Sequence, residues 1–182
     1  MAGRQPTTVL DFWFGELAPS QWFRKDPELD AEIARRFRDT LAAARRGELW
    51  AWRCTAHGRL AEVLVLDQFS RHIHRDTGEA FAADPLALVL AQEAVARGVD
   101  AELAVRERAF LYMPYMHSES LVIHDAALRL FDQPGLEDNL RVEQRHREIL
   151  SRFGRYPHRN AVLGRSSTPE ELAFLEGPGS SF

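Results

Sequence analysis

The chain has 182 residues, 45% hydrophobic and 27% charged, with a net charge of −4. Those values fit one domain with a sizeable core and exclude bulk disorder. Charge this close to balance also argues against a general nucleic-acid or membrane-surface binder, although the stretch Arg141 to Arg165 is a basic island of seven arginines against Glu143 and Glu148.

Thr7 or Thr8 is placed to cap a short first helix through VLDFWFGEL, ending near Pro19. Pro27 opens a longer helix whose Leu29, Ile33, Phe37 and Leu41 recur at helical intervals, with Gly47 as its stop. A third helix is expected from about Thr55 to His74. Asp84 and Pro85 start a fourth, which Gly98 ends. From about Ala101 a helix runs to Met113, where Pro114 either kinks it or separates it from a following helix to about Phe131. A further helix spans about Leu136 to Phe153 and stops at Gly154. After a polar loop, Thr168-Pro169-Glu170-Glu171 has the form of a capping box and starts a last short helix. No alternating run of β-branched residues reaches strand length, so the chain is expected to be all-α. Helix pairs with short connectors fit a bundle or a helical-repeat stack, and no strict repeat period separates the two.

Cys54 is the only cysteine, which rules out an internal disulfide or a cysteine cage for a metal and fits a reducing compartment. The opening residues MAGRQPTTVLDF lack a long apolar core, and no run approaches membrane-helix length, so a cytoplasmic protein with no membrane partner is expected. Arginine supplies nearly all the positive charge, since Lys25 is the only lysine. Genome composition accounts for most of that bias, yet the planar guanidinium suits carboxylate or phosphate wherever several converge.

Three segments break the amphipathic pattern: DQFSRHIHR at 67 to 75, ERAFLYMPYMHSES at 107 to 120, and FGRYPHRNAVLGRSSTPEE at 153 to 171. Asp67 follows Leu60 and Leu64 on an apolar stripe and should point inward, with Arg71 and Arg75 spaced four apart below it. A structural ion pair and a ligand role suit it equally well. His72 and His74 are two apart and cannot share a metal from a regular helix, and at least one is expected at the surface. A break at Pro114 would aim His117, Ser118 and Glu119 into a cavity. The neighbouring tyrosines are better read as core. In the third segment, a loop stiffened by Pro157 and turned at Gly164 carries Arg155, His158, Arg159, Asn160 and Arg165. Such a loop resembles an anion clamp, and arginines that merely pair with carboxylates elsewhere are an equal alternative. Signatures of zinc hydrolases, nucleophile elbows, P-loops and dinucleotide folds are absent, so any catalysis would rest on His117, His158, Asp67 or Glu119 as acid or base.

These three segments resemble the signatures of the bacterial family called domain of unknown function 924. Trp22-Phe23 and FAADPLALVLA at 81 to 91 fit the same pattern, and the resemblance covers nearly the whole chain. It implies an all-helical, tetratricopeptide-like superhelix, a fold class used for binding, and it supplies no established activity. The matching positions are Asp67, Gln68, Arg71 and Arg75, then Arg108, Tyr112, Pro114, His117, Ser118 and Glu119, then Arg155, Pro157, His158, Arg159, Asn160 and Arg165. The family pattern has proline, asparagine and phenylalanine where this chain has Ser70, His72 and His74.

The expected molecule is therefore an all-α stack of antiparallel helix pairs over residues 1–176, with a flexible tail at 177–182. Its matching polar residues should line one pocket that binds a small anionic ligand, without cofactor or metal. A metal-independent enzyme with His117 or His158 as general base is one rival. A scaffold for a peptide or protein partner, with the motifs as internal staples, is the other.

Overall fold

The structure, a computed structural model, describes residues 5–180, and its regular elements are all helical. Helix α1 (Pro6–Leu10) starts with proline at its first position and Gln5 as N-cap. Thr7 and Thr8, expected as caps, thus lie inside the helix, because proline already tolerates the position where an amide would be orphaned. The chain winds on through a wide π-turn at Asp11–Glu16, closed by Leu17 N–H donating to the Phe12 carbonyl at 3.2 Å.

Helix α2 (Pro27–Arg45) is capped by Asp26, whose Oδ1 accepts from the amides of Glu28 and Leu29 at 3.1 and 3.2 Å. It buries the expected stripe of Leu29, Ile33, Phe37 and Leu41. Helix α3 (Ala56–Leu64) continues through a second wide turn at Val65–Phe69 into α4 (Ser70–Ile73), so the expected third helix exists but is not uniform. Helix α5 (Asp84–Ala96) and helix α8 (Glu137–Phe153) end before glycines at φ 69° and 70°, left-handed values that favour glycine at Gly98 and Gly154. Between them lie α6 (Val105–Met116) and α7 (Leu121–Phe131), and α9 (Pro169–Leu175) follows the expected capping box of Thr168 and Glu171.

Of the two outcomes expected at Pro114, a separation into two helices there does not occur. Helix α6 runs through it to Met116, and the chain turns instead at residues 117–120. A proline removes only one helical amide, and every residue from Ala109 to Met116 is buried, so packing holds the helix where propensity would end it.

Helix α3 packs on α1, α5 and α6, the turn after it and α4 pack on α2, and α6 also meets α5, α7 and α8. At the centre is an aromatic cluster in which Trp13 stands edge-on to Phe110 at 5.6 Å and Phe37 meets Phe69 at 4.7 Å. Leu60, Leu64 and Leu66 are fully buried beside it, and each such side chain is worth about 1.5–3 kcal/mol. Among the described residues no helix is long and apolar enough to cross a membrane. The expected flexible tail at 177–182 lies partly outside the described residues. Within them, Ser180 is buried and its hydroxyl donates to the Leu175 carbonyl at 3.1 Å.

Candidate functional site

Asp67 sits in the wide turn that follows α3, and it is 1% exposed. Its Oδ1 accepts from His117 Nδ1 at 2.7 Å and its Oδ2 from Gln68 Nε2 at 2.6 Å. Arg71, one turn on, reaches back to the Asp67 carbonyl oxygen at 2.7 Å and stands 3.3 Å from its carboxylate. Burial alone would raise the Asp67 carboxyl, but the Arg71 charge and the hydrogen bonds from His117 and Gln68 hold it well below the usual carboxylate range. Burial followed by the Arg71 charge lowers His117, which outweighs the pull of Asp67. The pair is accordingly a carboxylate and a neutral imidazole, so the proton between them belongs to Nδ1.

Asp84, the first residue of α5, faces the same arginine. Arg71 grips its carboxylate in a fork at 2.8 and 3.0 Å, so the side chain read as a helix start is used for an ion pair and not for capping. Arg159, from the loop after α8, approaches the same carboxylate at only 3.4 Å. Its guanidinium lies over Phe81 at 4.5 Å and over Tyr156 at 4.6 Å, and its buried Nε has no hydrogen-bond partner. Burial, and then the like charge of Arg71, lowers its pKa.

Tyr156 packs between these groups and the histidines of α7 and α8. It is fully buried, its hydroxyl donates to the Met116 carbonyl at 2.6 Å, and its ring meets His146 and His158, each at 5.7 Å. Burial lowers His146 to about 3 and His158 to about 4, so both are neutral near pH 7. Beneath Tyr156, His124 and Glu143 form a fully buried pair, with Nδ1 and Oε1 2.5 Å apart and His124 Nε2 donating to the Ser118 carbonyl at 2.8 Å. Burial raises the Glu143 carboxyl.

The structure thus brings together Asp67, Gln68, Arg71, His117, His158 and Arg159 from the three segments. Glu119 joins them through Tyr156, whose amide donates to it at 2.7 Å, while Arg165 grips it at 2.7 and 2.9 Å. Asn160 orients Arg165 by accepting from its Nε at 3.0 Å, and Ser118 contributes its backbone carbonyl.

Other expected members lie elsewhere. Arg75 pairs with Asp30 of α2 at 2.5 and 2.8 Å, and His72 joins that carboxylate at 2.7 Å, so this end of the helix is stapled to α2. His72 is buried, whereas His74 is only half-buried and is the one of the two that reaches the surface. Arg108 bonds Gln133 and the Leu103 carbonyl, while the Tyr112 hydroxyl donates to Asp100 at 2.6 Å. Four-residue spacing ran Arg75 onto the stripe of Asp67, but the wide turn at Val65–Phe69 and a free acceptor at Asp30 assigned it otherwise. Arg155 is committed to Glu171 at 2.7 and 2.8 Å and Arg165 to Glu119, so of the three loop arginines only Arg159 lacks a carboxylate fork of its own.

Sequence reasoning passed over Asp84, Tyr156, His124, Glu143 and His146 as site residues. Tyr156 was inside the third segment, and Asp84 was inside FAADPLALVLA, where its cap-like position masked it. Glu143 and His146 stand three apart on α8, a spacing that puts two polar groups on one helix face. The two cavities described lie away from this cluster. One, of about 460 Å³, is lined by Arg53, Thr55, Arg59, Arg97 and Glu102, and the other, of about 380 Å³, by Leu10, Phe14, His57 and Glu107. Among the described residues no group of His, Cys, Asp and Glu is arranged to hold a metal ion.

Comparison with known proteins adds the following. A family model described as bacterial protein of unknown function, DUF924, matches residues 9–179. A solved structure of a protein of unknown function from Agrobacterium tumefaciens is 41% identical, with a TM-score of 0.90, covering 94% of this chain and 97% of that one. No curated protein matches.

Proposed function

Because the chain belongs to the DUF924 family, which prescribes no reaction, the reading must come from the site, and we propose that it binds a small phosphate- or carboxylate-bearing ligand at Arg159. The supporting observation is the state of that side chain. Arg159 is 6% exposed, its ion pair with Asp84 is long at 3.4 Å, and its Nε lacks a partner. Asp84 is already taken by the closer fork of Arg71. A buried guanidinium is normally saturated by acceptors, since an unpaired donor of this kind costs several kcal/mol. Oxyanions match its planar fork. A group this enclosed favours a small ligand over a polymer.

The same reading takes the framework as a tetratricopeptide-like stack of helix pairs. The packing of α3 on α5 and α6, and of α6 on α7 and α8, supports that order of neighbours. Fold alone names no ligand, so the polar cluster carries the proposal.

Thermal melts and calorimetry with inorganic phosphate, sulfate and succinate test it. One of these should stabilise the protein progressively, by about 2.7 kcal/mol at one hundred times its dissociation constant. Arg159→Gln should abolish that increment, and Arg155→Gln should keep it. No stabilisation by any anion, or the same increment in Arg159→Gln, would refute the reading.

A further inference from the structure

We propose that His117 is the general base of this site, accepting at Nε2 a proton from an O–H or N–H group of a phosphate- or carboxylate-bearing substrate. The proposal rests on the anion site at Arg159 and gives that site a chemical step.

Three observations carry it. First, the imidazole is oriented: its Nδ1 is 2.7 Å from Asp67 Oδ1, and that carboxylate is fixed in turn by Gln68 Nε2 at 2.6 Å and by the Arg71 guanidinium at 3.3 Å. A carboxylate that already accepts from those donors is ionised, so the bond to His117 places the ring proton on Nδ1 and leaves the lone pair on Nε2. Second, Nε2 has no hydrogen-bond partner among the described residues, and the His117 side chain is 15% exposed, whereas His124, fully buried, has both ring nitrogens engaged. His124 is thus held at both ends, and His117 at one. Third, an unbroken chain of charged groups links it to the anion site: Asp67, Arg71 at 3.3 Å, Asp84 at 2.8 Å and Arg159 at 3.4 Å.

In the step itself, the proton leaves the substrate and Nε2 gains it. The imidazolium that results is balanced by Asp67, which stays ionised, while the charge left on the substrate faces Arg159. The imidazolium then releases the proton to solvent and the imidazole is regenerated, which balances the proton transfer itself. Burial and the charge of Arg71 keep His117 neutral near pH 7, while Asp67 and Asp84 oppose them, so the base is present in its active form.

The test uses the full chain labelled with 15N-histidine, together with diethyl pyrocarbonate, an acylating reagent that the lone pair of a neutral imidazole nitrogen attacks, read by mass spectrometry. At pH 7.5, NMR should show His117 as the Nδ1–H tautomer, with a titration midpoint below 6.5. Carbethoxylation should reach His117 far faster than His124 or His146, and inorganic phosphate should slow it. Asp67→Asn should move the proton to Nε2 and slow the modification by roughly tenfold or more, the tautomer error known for this substitution in aspartate–histidine pairs. Should that variant fail to fold, the wild-type tautomer and reactivity decide alone. A wild-type His117 protonated on Nε2, or no more reactive than His146, overturns the assignment and leaves the anion site standing. Reactivity that phosphate does not slow overturns the anion site and the substrate class with it.

Discussion

Replacing Asp67 with alanine probes the centre of the polar cluster. The substitution removes the acceptor of His117 Nδ1, the acceptor of Gln68 Nε2 and one of the two carboxylates beside Arg71, all in a position 1% exposed. Breaking a buried ion pair from one side costs about 3–5 kcal/mol. The lower end applies here, because Arg71 keeps its fork to Asp84 at 2.8 and 3.0 Å and its bond to the Asp67 backbone carbonyl. Two buried donors left unsatisfied cost about 1–3 kcal/mol each, which relaxation around the small side chain offsets in part. A loss of about 3 kcal/mol follows, or about 6–12 °C in Tm for a chain of this size. Urea denaturation at pH 7 with matched thermal melts measures it. A variant within about 0.5 kcal/mol of wild type would show that the carboxylate is idle and would remove the reasoning built on it.

Two further outcomes follow from the buried acids and imidazoles. Burial raises the Glu143 carboxyl, and its Oε2 has no hydrogen-bond partner, so a fully ionised carboxylate is poorly satisfied beside His124. Glu143→Gln should therefore stay within about 1 kcal/mol of wild type in denaturant titrations while Glu143→Ala loses about 3 kcal/mol, and equal losses would mark a true ion pair instead. His146 and His158 fall from 6.5 to about 3 and about 4 on folding, so between those values and 6.5 the unfolded chain holds protons that the folded chain lacks. Stability is then full above pH 6.5 and drains as pH falls, by about 2 kcal/mol for each imidazole between pH 7 and pH 5. Equilibrium unfolding across that range checks it, with His146→Asn expected to flatten the slope, and a flat wild-type profile would contradict the burial argument.

Local rules sufficed for most helix limits. Pro27 and Thr168 mark helix starts, and Gly98 and Gly154 stand where a left-handed residue ends a helix, because these interactions span only a few residues. The inward direction of Asp67 was legible for the same reason, since Leu60 and Leu64 fix the stripe it continues. At Pro114 local rules left a kink and a separation open, because the cost of one missing amide is local while the packing that outweighs it is not. The pairing of charges was beyond local rules altogether. Arg75 had Asp67 eight residues away and took Asp30 at a separation of 45, Arg165 took Glu119 at 46, and Arg159 reached Asp84 at 75. The sequence by itself determined which residues would be helical and which polar groups would be out of place on those helices. Only the tertiary structure decided which guanidinium met which carboxylate, because ion-pair partners are chosen by distance after the helices pack, and that choice left Arg159 and His117 with a bonding position each to spare.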